Sequence, residues 1–70
     1  MYQRGERVVV ASRGRETVLV VWEDRGRGLV LTSPVGYEQA LAGKVDAPLV
    51  GYPRLDVVGR VEDHQPVTRP

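Results

Sequence analysis

No cysteine occurs in the 70 residues, and histidine occurs once. A disulfide framework and every thiolate zinc site are thereby excluded, so neither kind of staple can hold this fold. Phenylalanine and asparagine are also absent, and large rings reduce to Tyr2, Trp22, Tyr37 and Tyr52. An excess of one charge is missing too. Ten Lys and Arg stand against nine Asp and Glu, a formal net charge of +1, whereas a dedicated nucleic-acid binder usually carries a clear positive surplus. Long hydrophobic runs are lacking. The first apolar run, Val8 to Ala11, is far too short for a signal-peptide core or a membrane span. A soluble, cytoplasmic chain with no membrane partner is the expectation, and the absence of cysteine fits a reducing compartment. The preference for Arg over Lys, with no Asn or Cys, hints at a GC-rich bacterial or a thermophilic source.

What is present fits one small domain. Single cores usually take about 100 to 150 residues, so no room remains for a second. A chain of this size buries only about 60% of the surface it exposes when unfolded, and its stability depends on dense packing or on a partner. Residues 1–61 are expected to form the domain. Residues 62–70, with two prolines, His64 and no apolar periodicity, read as a flexible tail.

Along the chain, Glu6 to Ser12 is rich in valine, and Arg13-Gly14-Arg15 separates it from a second β-branched run, Glu16 to Asp24. Two strands joined by a glycine turn follow from that pattern. The second run is apolar on both alternating faces, which predicts a central strand covered twice. Arg25-Gly26-Arg27-Gly28 marks another tight turn, and Leu29 to Thr32 makes the third strand of a meander. Ser33-Pro34 has the chemistry of a helix N-cap and first helical position, good helix formers follow, and Gly43 suits a C-terminal cap. The predicted helix is Pro34 to Ala42, with Gly36 weakening its first turn. Beyond it, the residues after Pro48 suit a short strand, a helical turn and a closing strand ending near Val61.

Short strands, tight turns and a late helical turn are the plan of a small bent barrel. The segment Gly51-Tyr52-Pro53-Arg54-Leu55-Asp56-Val57-Val58 resembles the closing segment of SH3-like barrels, where Gly, an aromatic or aliphatic residue and Pro lead into a 3₁₀ turn and a final strand. The likeness covers eight residues. It implies a mainly β fold, an SH3-like barrel of four or five strands with one short helix. The acidic, tyrosine-rich first strand and the paired tryptophans of peptide-binding SH3 domains are missing, so proline-rich recognition does not carry over. Such barrels host many unrelated roles.

Catalysis needs a positioned His, Cys, Lys or paired carboxylates. His64 falls in the tail, Ser12 and Ser33 read as a strand end and a cap, and the adjacent Glu23 and Asp24 diverge across a strand near a turn. No catalytic residue, metal ligand or cofactor site is assigned. Trp22, on the strand face of Val18 and Val20, is expected in the core with its indole N–H on a carbonyl. Tyr37 and Tyr52 should keep an edge exposed and, with Arg54, are the candidate protein-binding residues. Arg13, Arg15, Arg25 and Arg27 are the candidates for nucleic acid. The two arginine turns lie at opposite ends of one strand, roughly 25 to 30 Å apart, so they should not form one patch. The expected function is a non-catalytic interaction or accessory module that binds a protein partner or self-associates. The alternative is a nucleic-acid-binding barrel that uses the arginine turns.

Overall fold

The computed structural model describes residues 1–62. The tail beyond, including His64, lies outside the described residues. Five antiparallel strands and one helix follow in the order β1 (Arg7–Ser12), β2 (Arg15–Asp24), β3 (Gly28–Thr32), α1 (Pro34–Leu41), β4 (Val50–Pro53) and β5 (Val57–Arg60), with a 3₁₀ turn over Arg54–Asp56. The sheet order is β4-β3-β2-β1-β5. The mainly β class therefore holds, and β2 is the central strand that its doubly apolar pattern predicts.

Curvature follows from the connection between the edges. Strands β4 and β5 lie at opposite edges, yet only the 3₁₀ turn joins them. Four strand spacings of about 4.8 Å would separate the edges of a flat sheet by about 19 Å, whereas three 3₁₀ residues advance about 6 Å. The sheet must curl strongly. It does not close, because β4 and β5 share no ladder, and "barrel" describes it only approximately.

The concave face collects Val8, Val10, Val21, Leu29 and Leu31, with Tyr2, Leu19, Tyr52 and Val57 packed against them. On the convex face Val9, Val20 and Thr32 are buried, and α1 packs on β2 and β3 there, with Gly36 against Thr32. Burial of both Val20 and Val21 explains why β2 lacks a polar face at its centre. Each such side chain contributes about 1.5 to 3 kcal/mol.

Local signals placed α1 closely. Ser33 is its N-cap and accepts from the Gly36 N–H at 3.0 Å, Pro34 opens the helix, Ala42 caps its end, and Gly43 follows in the left-handed region at φ 80°. The β1–β2 turn has positive φ at both central residues, Arg13 at 55° and Gly14 at 78°, the signature of a type I′ hairpin. Glycine tolerates that conformation; arginine does not readily. Arg13→Asn is expected to raise stability by about 0.5 to 1 kcal/mol, because Asn adopts the left-handed region more easily. A urea melt with an unchanged midpoint would count against the assigned turn.

One expectation is corrected. Trp22 is half-buried rather than in the core. A β-bulge between Val21 and Glu23 makes Trp22 the extra residue against β3, so it keeps the face of Val18 and Val20 but has no cross-strand partner on β3 to cover it, and packs at the edge of α1 against Tyr37. Val18 is also exposed, since Ala11 to Val18 project beyond the packed body.

Candidate functional site

The bulge sets the direction of every side chain at the far end of β2. Val21 faces the concave core, and past the bulge Glu23 pairs with Val30 and Asp24 with Leu29. Leu29 belongs to the core, so Asp24 is turned to the concave side and Glu23 to the convex side. The two adjacent carboxylates diverge. Glu23 meets Arg25 at 3.2 Å in solvent, a contact worth at most about 1 kcal/mol.

Asp24, with only 3% of its side chain exposed, organises the β2–β3 turn. Its carboxylate accepts from the Tyr2 N–H at 2.9 Å, from the Gly26 N–H at 2.8 Å and from the Arg54 guanidinium. Those donors, Arg54 first and then the two N–H groups, hold the carboxyl well below the usual carboxylate range against the cost of its burial. Arg54 also donates through Nε to the Gly26 carbonyl, and its own backbone N–H donates to the Arg27 carbonyl at 3.1 Å. Within the turn the Arg25 N–H donates to Gly28 at 2.9 Å. The 3₁₀ turn therefore clamps the arginine turn from three points, and Arg25 and Arg27 stand on a fixed loop.

The N-terminal segment completes this end. Tyr2 lies between two guanidinium groups, with Arg54 5.7 Å and Arg60 4.9 Å from its ring centre. Arg60 in turn binds Glu6 at 2.6 Å and the Met1 carbonyl at 3.1 Å. Tyr2 thus bridges the 3₁₀ turn and β5 where the curled sheet stays open.

Beside the clamped turn, the convex face of β3 and β4 carries a shallow groove of about 280 Å³. Its floor is low because the cross-strand positions Gly28 and Gly51 lack side chains, opposite Pro53 and Val30 respectively. Arg25, Arg27 and Pro53 rim it. Helix α1 covers only the Val20–Thr32 end of this face, which leaves the groove open. Trp22 stands towards α1, edge-on to Tyr37 with ring centres 5.9 Å apart, and Arg4 stacks on it at 4.2 Å while donating to its backbone carbonyl at 2.8 Å.

The sequence-derived candidates are thus sorted by the fold. Arg25, Arg27, Arg54 and Tyr52 come together at one end, Arg54 as the clamp and Tyr52 with its ring against the core and its backbone along the groove. Tyr37 lies apart on the helix with Trp22. Arg13 and Arg15 lie at the opposite end of β2, as the strand length required. Asp24 was missed because its Arg54 partner is 30 residues away, and nothing local distinguishes it from a solvated turn acid. The groove was missed because its floor consists of absent side chains.

Among the described residues no group of three or more His, Cys, Asp or Glu could hold a metal ion, and no helix is long and apolar enough to cross a membrane. No family model, curated protein or solved structure matches the chain.

Proposed function

We propose that this chain is a non-catalytic cytoplasmic interaction module, an open SH3-like barrel that holds an extended acidic stretch of a partner protein in the glycine-floored groove. The barrel kinship is supported by the β4-β3-β2-β1-β5 order and by the 3₁₀ turn that links β4 to β5. One observation carries the functional reading: a glycine-floored groove lies beside two arginines on a loop that is locked before any ligand arrives. Preorganisation of that kind reduces the ordering cost of binding. The Arg27 side chain has no hydrogen bond or ion pair among the described residues, so its guanidinium is available to a carboxylate, which its planar fork matches in two-point fashion. Val30 and Pro53 add apolar contact beside it, and backbone over glycine admits close approach of another chain.

Gly51→Val is the direct test, because a Cβ at Gly51 would meet nothing within 4 Å and the valine would fill the groove rather than strain the sheet. Stability is expected to stay level or rise by about 0.5 to 1 kcal/mol, since glycine weakens a strand interior. Titration of the full chain with extended Asp- and Glu-rich peptides, followed by NMR, should move the amides of Gly28, Val30 and Gly51 in the native protein and not in Gly51→Val. Native amides that stay still, or a variant that binds as well as the native chain, would sink the assignment.

A further inference from the structure

The outer side of α1 shows a different surface. The helix turns Gly36 onto the sheet, and the opposite side of such a surface helix is ordinarily polar. Here it is largely apolar. Val35 is 68% exposed and Leu41 59%, Ala42 is exposed at the cap, and Val45 stands fully in solvent just beyond. A Schellman pair closes the helix, with the Gly43 N–H donating to the Ala40 carbonyl at 3.0 Å and the Lys44 N–H to the Gln39 carbonyl at 3.1 Å. That closure brings Lys44 back beside the helix. With Val35, Glu38 and Ala42 it lines a shallow hollow of about 370 Å³. Among the described residues neither the Glu38 nor the Lys44 side chain forms a hydrogen bond or an ion pair. One charge of each sign, both unused, thus flanks an exposed apolar strip.

We propose that α1 is the contact of a two-fold homodimer, in which the outer sides of two copies lie antiparallel and Glu38 of each meets Lys44 of the other. The occupant follows from the order of the charges. In a two-fold contact residue i meets j of the second copy and j meets i, so an acid and a base on one strip complement themselves once the second strip runs the other way. The same reversal places the apolar residues. Pairing Glu38 with Lys44 sets the axis near Leu41 and Ala42, where the small side chain of Ala42 lets the helices approach, and brings Val35 against the stretch around Val45. The remaining nearby charge, Asp46, falls towards the N-terminal end of the second α1, whose first turn holds no acid of its own and whose dipole favours a carboxylate. No charge is left facing its like. A lipid surface or a nucleic acid would instead meet two carboxylates and one lysine. The eight-residue helix is about 12 Å long at 1.5 Å per residue, so the contact belongs to the weak, reversible class, with a dissociation constant of about 0.1 to 1 mM. The groove beside Arg25 and Arg27 lies beyond the part of the sheet that α1 covers, and the dimer does not depend on it.

Sedimentation equilibrium of the full chain, at concentrations spanning that value, should show monomer and dimer in exchange. On dilution the NMR amides of Val35, Glu38, Ala42 and Val45 should shift while those of Arg13 and Gly51 stay still. Glu38→Lys and Lys44→Glu each create two like-charge contacts by symmetry and should weaken association at least about fivefold at low salt. Mixed in equal amounts, the two variants should associate again as a heterodimer, because each then meets opposite charge at both contacts. Val35→Ser removes apolar contact alone and should also weaken association at least about fivefold. All three positions are exposed, so in dilute solution each variant should melt close to the native chain, which separates lost contact from lost folding. The proposal is overturned by a chain that stays monomeric at the highest of these concentrations, by charge variants that associate as well as the native chain, or by a mixture that stays monomeric. Dimerisation unchanged in Val35→Ser would put the contact on another surface and overturn it as well.

Discussion

Gly36→Ala is expected to destabilise the protein by about 1 to 3 kcal/mol, the cost of forcing a methyl group into a packed site. Helix propensity alone gives the opposite sign, because alanine is favoured over glycine inside a helix by about 1 kcal/mol. Packing decides the matter. Gly36 is buried where α1 crosses the convex face, and a Cβ there would press into the Thr32 hydroxyl while standing 3.0 Å from Pro48 Cγ and 3.2 Å from Ser33 Oγ. Thr32 is 3% exposed and its hydroxyl has no hydrogen-bond partner, so the side chain has little freedom to move aside. For a domain this small each kcal/mol shifts the melting temperature by roughly 4 to 8 °C, well within calorimetric reach. Thr32→Ala removes the obstructing hydroxyl and should relieve part of the cost, with a favourable coupling of about 0.5 to 3 kcal/mol in the double-mutant cycle. A variant as stable as the native chain would show that α1 rides higher over the sheet than described.

The same glycine shows why some features were legible in the sequence and others were not. The ends of α1 could be read from Ser33-Pro34 and Gly43 because caps act between residues one to three positions apart. Strand positions could be read from runs of β-branched residues and the turns between them. Gly36 looked like a weak point in the helix, since nothing local shows that Thr32 and Pro48 converge there. Trp22 is half-buried for a related reason: a bulge leaves one residue without a cross-strand partner on β3 and reverses the faces only of Glu23 and Asp24 beyond it, and alternation arguments assume that no residue is inserted. Among the candidate site residues, the separation of Arg13 and Arg15 from Arg25 and Arg27 followed from strand length alone. The gathering of Arg25, Arg27 and Arg54 did not, because it depends on β4 returning alongside β3. Closure was overestimated, since eight residues that resemble a barrel's last segment do not specify whether its edges meet.

Loss of the Asp24–Arg54 clamp is the other large effect, and it carries a pH signature. Donation from Arg54, Tyr2 and Gly26 favours the charged carboxylate in the folded chain, so its folded pKa lies below the unfolded value of 3.8. The unfolded chain then binds the proton more readily than the folded one. Stabilisation from this group is complete above about pH 4 and is lost progressively as pH falls through and below the unfolded value towards the folded one. Glu6, lowered by the Arg60 guanidinium and the Gln3 N–H from an ordinary 4.5, adds loss of the same sign in the same acid range. Asp24→Asn keeps the side-chain shape and removes the titration. Its deficit relative to the native chain should be largest near neutral pH and should narrow between about pH 4 and pH 2. Urea melts across that range check it, and curves that stay parallel would show that Asp24 is not held as described. Glu23→Gln, which disturbs only the solvated pair with Arg25, should have little effect at any pH. Arg54→Met tests the link from clamp to function, since it keeps much of the apolar stem and the backbone N–H to the Arg27 carbonyl but frees Gly26 and Asp24 together. Amide exchange at Gly26 and Gly28 should then quicken while the core amides of Val21 and Leu31 remain protected. Peptide affinity at the groove should fall although Arg25 and Arg27 are untouched, because a loosened loop must be ordered at the moment of binding. Unchanged exchange in the turn would leave Arg54 as a surface cation and remove the clamp from the account of binding.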